Sequence, residues 1–447
     1  MAKLFGTDGI RGVAGKFPLD PVSCRILGSA LVRLLEERGR GRRVLIGRDT
    51  RESGDWIELA LIAGIKAARG ESALAGVIPT SAVSFLARKH RFAAGIVISA
   101  SHNPFRDNGI KIFSPEGLKI PDDWENVIEA AIRSKKDPAA DVSEEGPRPL
   151  PDPSYGEDYV EFLKTRLSLK FPFPFKIAID CANGAASAYA PRIFKELGFE
   201  VVSLHCSPDG RNINQDCGSL HPERLAEKVL ETKAAIGIAY DGDADRAVWA
   251  DETGAALNGD HTLFVLAQRM NEKGRLASRQ VVATTMSNMG LEAALERMGI
   301  RLLRTRVGDK YVFEEMVRSG SNLGGERSGH TILLDDGPTG DGILTSLRMI
   351  EAMVKTSLPL SALTAGFEEY PQILLNVRVK EKIPFEEIVE IRAAVQKVER
   401  ALADSGRLDL RYSGTESVAR IMVEGRDKAE IERLAQDLAV VISDRLG

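Results

Sequence analysis

At 447 residues the chain exceeds what a single hydrophobic core serves, so two to four domains are expected. A net charge of −4 and 28% charged residues give no basis for nucleic-acid binding or a polybasic membrane surface. Cys24, Cys181, Cys206 and Cys217 form no C-x-x-C pair, no apolar run reaches membrane-spanning length, and the opening MAKLFGTDGIRG lacks a signal-peptide core; a cytoplasmic chain with reduced thiols is expected.

In chain order, residues 1–19 read as a polar, glycine-rich opening, followed by a helix over 21–37. One unit then recurs three times. The first copy has strand 44–47, helix 54–69, strand 73–78, helix 80–89 and strand 94–99. The second has strand 176–180, helix 186–197, strand 201–204, helix 222–232 and strand 235–240. The third has strand 281–284, helix 290–298, strand 301–304, helix 310–318 and a short strand near 322–324. Strands alternating with amphipathic helices predict three similar α/β domains with mostly parallel, mixed sheets. The Pro- and Glu-rich segment 136–156 reads as a linker, and 250–260 as a second boundary. After Pro371 the pattern changes to strand 372–379, helix 385–403, strands 407–411 and 418–424, and helix 427–444, a smaller α+β domain. The expected boundaries are 1–153, 154–253, 254–369 and 370–447, around a central cleft.

In each copy a chemically rich loop follows the same strand. The run Gly95–Ile98 is apolar, and the chain then breaks into small polar residues and a proline, Ser99-Ala100-Ser101-His102-Asn103-Pro104. A serine at the carboxyl end of a buried strand is either a plain turn residue or a reactive group. A hydrolase elbow is excluded, because Ser101 sits in Ala-Ser-His rather than G-x-S-x-G. His102 is expected to point its ring away from the serine hydroxyl. In the second copy, Asp241, Asp243 and Asp245 alternate in one loop, which lets three carboxylates converge on a hard cation. A calcium loop needs glycine where Arg246 stands and a helix where the strand precedes it, so Mg²⁺ is favoured. The third loop, Gly325-Glu326-Arg327-Ser328-Gly329-His330, offers an acceptor, a hydroxyl and an imidazole suited to sugar hydroxyls, or is an ordinary polar turn. In the last domain, Arg411-Tyr412-Ser413-Gly414-Thr415-Glu416 with Arg420 forms a plausible phosphate nest, or a hairpin turn. Lys111, Arg11 and Arg48 supply the positive charge expected near phosphates.

Together these loops, with the opening Phe5–Gly12, Ile98–Asn108, Met286–Gly290 and Val307-Gly308-Asp309, resemble the α-D-phosphohexomutase family from Lys3 to about Gly425. The resemblance implies four domains and a Ser101 that carries a phosphoryl group. It implies one Mg²⁺ held by Asp241, Asp243, Asp245 and Ser101, and catalytic roles for Lys111, Arg11 and His102. Sugar contacts fall to Arg246, Glu326, Ser328 and His330, and a distal phosphate site to Arg411, Ser413, Gly414, Thr415 and Arg420. The expected reaction is an intramolecular phosphoryl transfer between glucosamine 6-phosphate and glucosamine 1-phosphate through glucosamine 1,6-bisphosphate, feeding UDP-N-acetylglucosamine synthesis. The alternative is the glucose/mannose chemistry of the same family. The expected partner is a small-molecule sugar phosphate, with no nucleic acid and no membrane, and a homodimer as an allowed assembly. Ala244, Tyr412, Ser417 and Arg327 stand where the family more often has Gly, Lys, Pro and Gln; Arg327 is expected to face solvent.

Overall fold

The computed structural model describes residues 3–136, 149–167, 175–413 and 417–447. Residues 137–148 of the expected linker, and Gly414 and Thr415, lie outside them. Chain contacts divide the protein into two compact units, Met1–Thr284 with Leu303–Ala365, and Thr285–Leu302 with Gly366–Gly447.

The larger unit holds three sheets that repeat one plan. In the first, strand Ala94–Ile98 lies between Arg43–Arg48, to which it is parallel, and Asp107–Phe113, to which it is antiparallel. Glu71–Val77 continues the sheet beyond Arg43–Arg48. In the second, Ile236–Tyr240 lies between parallel Lys176–Asp180 and antiparallel Ala247–Asp251, with Glu200–Leu204 at the edge. In the third, Leu323–Gly325 lies between parallel Gln280–Thr284 and antiparallel Thr331–Leu333, and Arg301–Thr305 flanks Gln280–Thr284. Each sheet is mixed, as expected, through an antiparallel strand that had no signal of its own in the sequence. That strand makes each chemically rich loop a hairpin connection instead of the start of a helical crossover. Strands Ala94–Ile98 and Ile236–Tyr240 are buried along their whole length, as expected of sheets covered on both faces.

The glycine-rich opening is also structured. Phe5–Gly6 and Gly9–Val13 form a hairpin, and Gly9–Val13 extends the first sheet, with Arg11 opposite Gly109. Helices Asp122–Ser134, Ser154–Thr165, Gly259–Glu272 and Gly342–Thr356 were missed. Ser154–Thr165 starts inside the expected linker, and Gly259–Glu272 inside the 250–260 region. Helix Pro21–Glu37 starts where its sequence says it should. Asp20 accepts the Ser23 amide, and Pro21 sits at the first helical position, where no amide donor is needed. Its apolar face packs with Ile57, Leu61 and Ile65 of helix Gly54–Ala67 and with strand residues Val44, Ile46 and Ile96.

In the smaller unit, Val418–Gly425 is the central strand of a three-stranded antiparallel sheet, between Gln372–Arg378 and Gly406–Tyr412. Helices Val389–Leu402 and Lys428–Leu446 bury Ile391, Val398, Leu434, Leu438 and Ile442 against it. The Met286–Gly290 stretch belongs to this unit. Arg407 donates to the Thr285 and Ser287 carbonyls at 2.7 and 2.6 Å, and the Met289 amide donates to Glu424 at 2.9 Å.

Candidate active site

Strand Ala94–Ile98 delivers Ser101 into a loop that its neighbours hold from several sides. Ser99 Oγ donates to Asp49 at 2.6 Å and accepts the Ser101 amide at 2.9 Å. Ser101 has φ 53°, a left-handed conformation that costs a non-glycine residue about 1–2 kcal/mol. Arg51, fully buried, offsets that strain. Its guanidinium donates to the carbonyls of Ser101, Asn103 and Pro104 at 2.8, 2.8 and 2.6 Å and pairs with Asp49 at 2.9 Å. Asn214 donates to the Ser101 and Asn103 carbonyls at 2.9 and 3.1 Å. Gly242, at the start of the acidic loop, has no room for a side chain: a Cβ there would fall 2.6 Å from the Ser101 carbonyl oxygen.

The acidic loop follows strand Ile236–Tyr240. Asp241, Asp243 and Asp245 each offer a carboxylate oxygen within 4.8 Å of the others, and all three are buried. Ser101 Oγ donates to Asp241 Oδ2 at 2.5 Å. Burial, together with the charges of Asp245 and Asp243, pushes the Asp241 carboxyl well above its usual range. Asp243 Oδ2 accepts Thr80 Oγ1 at 2.6 Å and Lys111 Nζ at 2.8 Å. Asp243 Oδ1 and Asp245 Oδ1 are buried without a hydrogen-bond partner. Orphaned carboxylate oxygens in a clustered, oxygen-only set fit a hard cation, and the triad is therefore able to bind a metal.

Lys111 is 2% exposed and lies 2.9, 2.8 and 3.0 Å from Asp8, Asp243 and Asp245. Burial opposes its charge, but the carboxylates of Asp243, Asp245 and Asp8 outweigh it and hold the ammonium protonated well above its ordinary range. Arg11 pairs with Asp8 at 2.6 Å, and Lys119 lies between Asp8 and Asp309, 2.5 Å from each. His102 departs from its expectation: Nδ1 lies 3.3 Å from Ser101 Oγ. Neighbouring side chains diverge along an extended strand, but the left-handed turn at Ser101 brings these two together. Burial, with the nearby Arg246 and Arg11, lowers His102 to about 4, so the ring is neutral at pH 7.

The third loop closes on the second. Arg246 and His330 form a β-bridge, and the Ala247 amide donates to the Gly329 carbonyl at 3.2 Å. Arg246 Nε sits 3.9 Å from Asp241 and 3.8 Å from Asp245. His330 is buried, with Nδ1 3.6 Å from Asp245 and Nε2 3.7 Å from Asp309. Burial opposes charge on His330, yet Asp245 and Asp309 raise it to about 9. The Gly340 amide donates to Nε2 at 3.2 Å, which only a neutral ring can accept. The ring therefore accepts from the backbone through Nε2, while Asp245 and Asp309 keep its affinity for a proton high. Glu326 Oε1 accepts the Gly308 amide at 3.1 Å, and Ser328 stands exposed at the tip of the turn. Arg327 does not simply face solvent: its Nη1 turns back to 3.5 Å from the buried Asp260.

In the smaller unit, Arg411 and Arg420 stand opposite each other on adjacent strands. Like charges directly opposite on a sheet repel, which favours an anion beside them. Ser413 is buried; its amide donates to Val418 at 2.8 Å and its carbonyl accepts Lys382 Nζ at 2.6 Å. Tyr412, the departure from the family pattern, stacks on Phe385 with centroids 4.1 Å apart and donates to the Ile383 carbonyl at 2.5 Å.

Ser101, His102, Lys111, Arg11, the three aspartates, Arg246 and His330 thus converge within one unit. Arg48 does not join them; it pairs with Asp55 at 2.8 Å and lies 3.5 Å from Glu58. Sequence reasoning missed Asp8, Arg51, Thr80, Asn214 and Asp309. Asp8 and Asp309 lay within stretches that carried the resemblance, whereas Arg51, Thr80 and Asn214 gave no signal.

Models of the phosphoglucomutase/phosphomannomutase α/β/α domains I, II and III match residues 2–139, 157–254 and 258–370, and the C-terminal domain of that family matches 374–441. The chain belongs to this family, the α-D-phosphohexomutases. Phosphoglucosamine mutase of Koribacter versatilis is 48% identical over 100% of this chain and 97% of its own length. That of Syntrophotalea carbinolica is 46% identical over 100% and 98%. Among solved structures, a phosphoglucomutase/phosphomannomutase family protein from Burkholderia thailandensis superposes with TM-score 0.80 at 26% identity, covering 99% of this chain and 98% of its own. An Aspergillus fumigatus N-acetylphosphoglucosamine mutase, solved with GlcNAc-6P and magnesium, shares the fold with TM-score 0.70 at 16% identity over 99% of this chain and 96% of its own.

Proposed function

We propose that this phosphohexomutase, an isomerase, is a phosphoglucosamine mutase that interconverts glucosamine 6-phosphate and glucosamine 1-phosphate. The observation that carries the reading is the Ser101 hydroxyl, strained into a left-handed turn and aimed at Asp241 within a triad that keeps two orphaned buried oxygens. Phosphorylated Ser101 is the donor. A sugar hydroxyl attacks phosphorus, the bond from phosphorus to Ser101 Oγ breaks, and the sugar becomes a 1,6-bisphosphate. The hydroxyl proton ends on Ser101 Oγ. The neutral His102 ring, 3.3 Å away, is placed to carry it there. Lys111, which lies 2.9, 2.8 and 3.0 Å from Asp8, Asp243 and Asp245, and Arg11 balance the negative charge that gathers at the transferring group.

Asp241, Asp243 and Asp245, with the phosphorylated Ser101, would hold one Mg²⁺. Bound there, the cation supplies neutralisation of the phosphoryl oxygens and of the departing serine oxygen. Arg246, Glu326, Ser328 and His330 position the sugar, and Arg411, Ser413, Gly414, Thr415 and Arg420 bind the phosphate that is not being transferred. The bisphosphate then turns over and returns its other phosphate to Ser101. Identity of 48% and 46% to phosphoglucosamine mutases along the whole chain supports the amino sugar as substrate. So does Glu326, a carboxylate suited to an ammonium at C2. A coupled assay over glucosamine, N-acetylglucosamine, glucose and mannose phosphates tests this. The expected kcat/KM for glucosamine 6-phosphate exceeds that for glucose 6-phosphate by more than about tenfold, which 1.4 kcal/mol of differential binding supplies. Equal turnover of glucose or mannose phosphate would transfer the assignment to the phosphoglucomutase/phosphomannomutase activity.

A further inference from the structure

The ends of two neighbouring strands gather a second set of ligating atoms that the phosphoryl-transfer chemistry does not use. Strand Lys176–Asp180 ends on Asp180, and its parallel neighbour Glu200–Leu204 is followed directly by His205. Cys217 immediately precedes the short turn Gly218–Leu220. One ligand atom from each of Asp180, His205 and Cys217 lies within 4.8 Å of the other two. Asp180 and Cys217 are buried, while the His205 side chain keeps 22% of its surface exposed, so an ion can enter from solvent.

The chemistry of this set differs from that of the aspartate triad. Three carboxylates offer only hard oxygens. A carboxylate, an imidazole and a thiolate together are the donor set of a borderline-soft divalent ion, and three protein ligands leave a fourth position for water. We propose that Asp180, His205 and Cys217 form a second cation site, selective for a Zn²⁺-like ion over Mg²⁺. The ligands are already oriented. Asp180 Oδ1 accepts the Ala182 amide at 2.8 Å, and Oδ2 accepts the Gly218 amide at 3.1 Å and pairs with His205 Nδ1 at 2.9 Å. Without an ion, burial and the Asp180 charge hold the Cys217 thiol protonated, up to about 12. Binding breaks the Sγ–H bond, forms the sulfur–metal bond and releases one proton to solvent for each ion bound.

The site has a consequence for the serine loop. Two of the ligands, His205 and Cys217, bracket segment 205–217, which carries Asn214, and Asp180 ties that segment to the end of strand Lys176–Asp180. The Asn214 amide donates to the Ala182 carbonyl at 2.9 Å, and its side chain holds the Ser101 and Asn103 carbonyls. An ion bridging strand ends and segment therefore clamps the residue that clamps Ser101.

Co²⁺ is the probe, because cobalt–thiolate ligation gives a near-ultraviolet charge-transfer band that oxygen ligation does not. Titrated into the full-length reduced protein, it is expected to produce that band, saturating at one equivalent. The band should persist in Asp243→Asn, which disables the aspartate triad. It should disappear in Cys217→Ser and in His205→Gln, with affinity at this site lowered by more than about tenfold in each. His205 is partly exposed, so the Gln variant folds even if the Ser variant does not. Zn²⁺ should raise the unfolding midpoint of the unmodified chain and leave that of His205→Gln where it was. No thiolate band at saturating Co²⁺, or the same band surviving in Cys217→Ser or His205→Gln, would overturn the proposal.

Discussion

The serine loop and the arginine-bearing loop at 411–420 are assigned related tasks, handling phosphate, yet they are built in opposite ways. Around Ser101, the residues Asp49, Arg51, Lys111 and Asp241 are buried, the loop carbonyls are held by Arg51 and Asn214 from other parts of the chain, and the backbone is forced into an unfavourable conformation. At 411–420, Arg411 and Arg420 sit opposite each other on two adjacent strands of one sheet, and Arg420 is exposed. The difference follows from the chemistry. A group that makes and breaks a covalent bond needs sub-ångström placement, which only a packed, interlocked surrounding maintains. A group that recognises a dianion and lets it go is served by accessible guanidiniums whose contacts form and dissolve.

The largest effect should come from the interlocked region. Ser101→Ala is expected to lower turnover by more than about a thousandfold, because it removes the atom proposed to carry the phosphoryl group. The fold should survive, as read from an unchanged circular dichroism spectrum, and intact mass of the unmodified chain should show a phosphorylated fraction mapping to Ser101. Residual full activity would erase the distinction between the two regions. Next is Asp243→Asn. It lowers ligand charge and removes a partner of Lys111, so the Mg²⁺ concentration for half-maximal activity should rise by more than about tenfold. Chelation should abolish activity and added Mg²⁺ restore it; a chelator-indifferent enzyme would refute the role given to the triad.

The open region predicts a smaller and different loss. Arg420→Ala should raise KM by about tenfold to a hundredfold, in line with roughly 1.5–3 kcal/mol for a charge-assisted contact, with kcat affected less. A loss confined to kcat would show that this loop, too, acts on the reacting bond. The smallest effect concerns Ala244, which has φ 57° in the middle of the aspartate loop. Ala244→Gly should relieve strain, giving a gain of about 1 kcal/mol or less after the added freedom of the unfolded chain is counted. Thermal unfolding would register it as a slight rise in midpoint with activity retained.

What could be read in the sequence follows from the same contrast. Ser101, the three aspartates and the Glu326–His330 turn stood out because each is a short run of unusual residues after an apolar strand. The supports of the serine loop did not. Arg51 and Asn214 act over long sequence separations, and a single arginine or asparagine carries no local pattern. The hairpin strand Asp107–Phe113 was hidden because it opens on polar residues and Gly109 interrupts its apolar alternation. The direction of His102 depends on one positive φ that nothing in Ala-Ser-His announces. Arg327 turns back because Asp260 lies at the buried start of a helix that was itself missed.

The three hairpins have a further consequence. Their connections, residues 99–106, 241–246 and 326–330, are only eight, six and five residues long. Chain this short and this fastened has little conformational entropy left to lose when a ligand arrives. The dipoles and charges that would face a phosphoryl group on Ser101 are therefore already oriented in the resting molecule. The reorganisation that water would have to perform at every turnover is completed here once, as the sheets assemble.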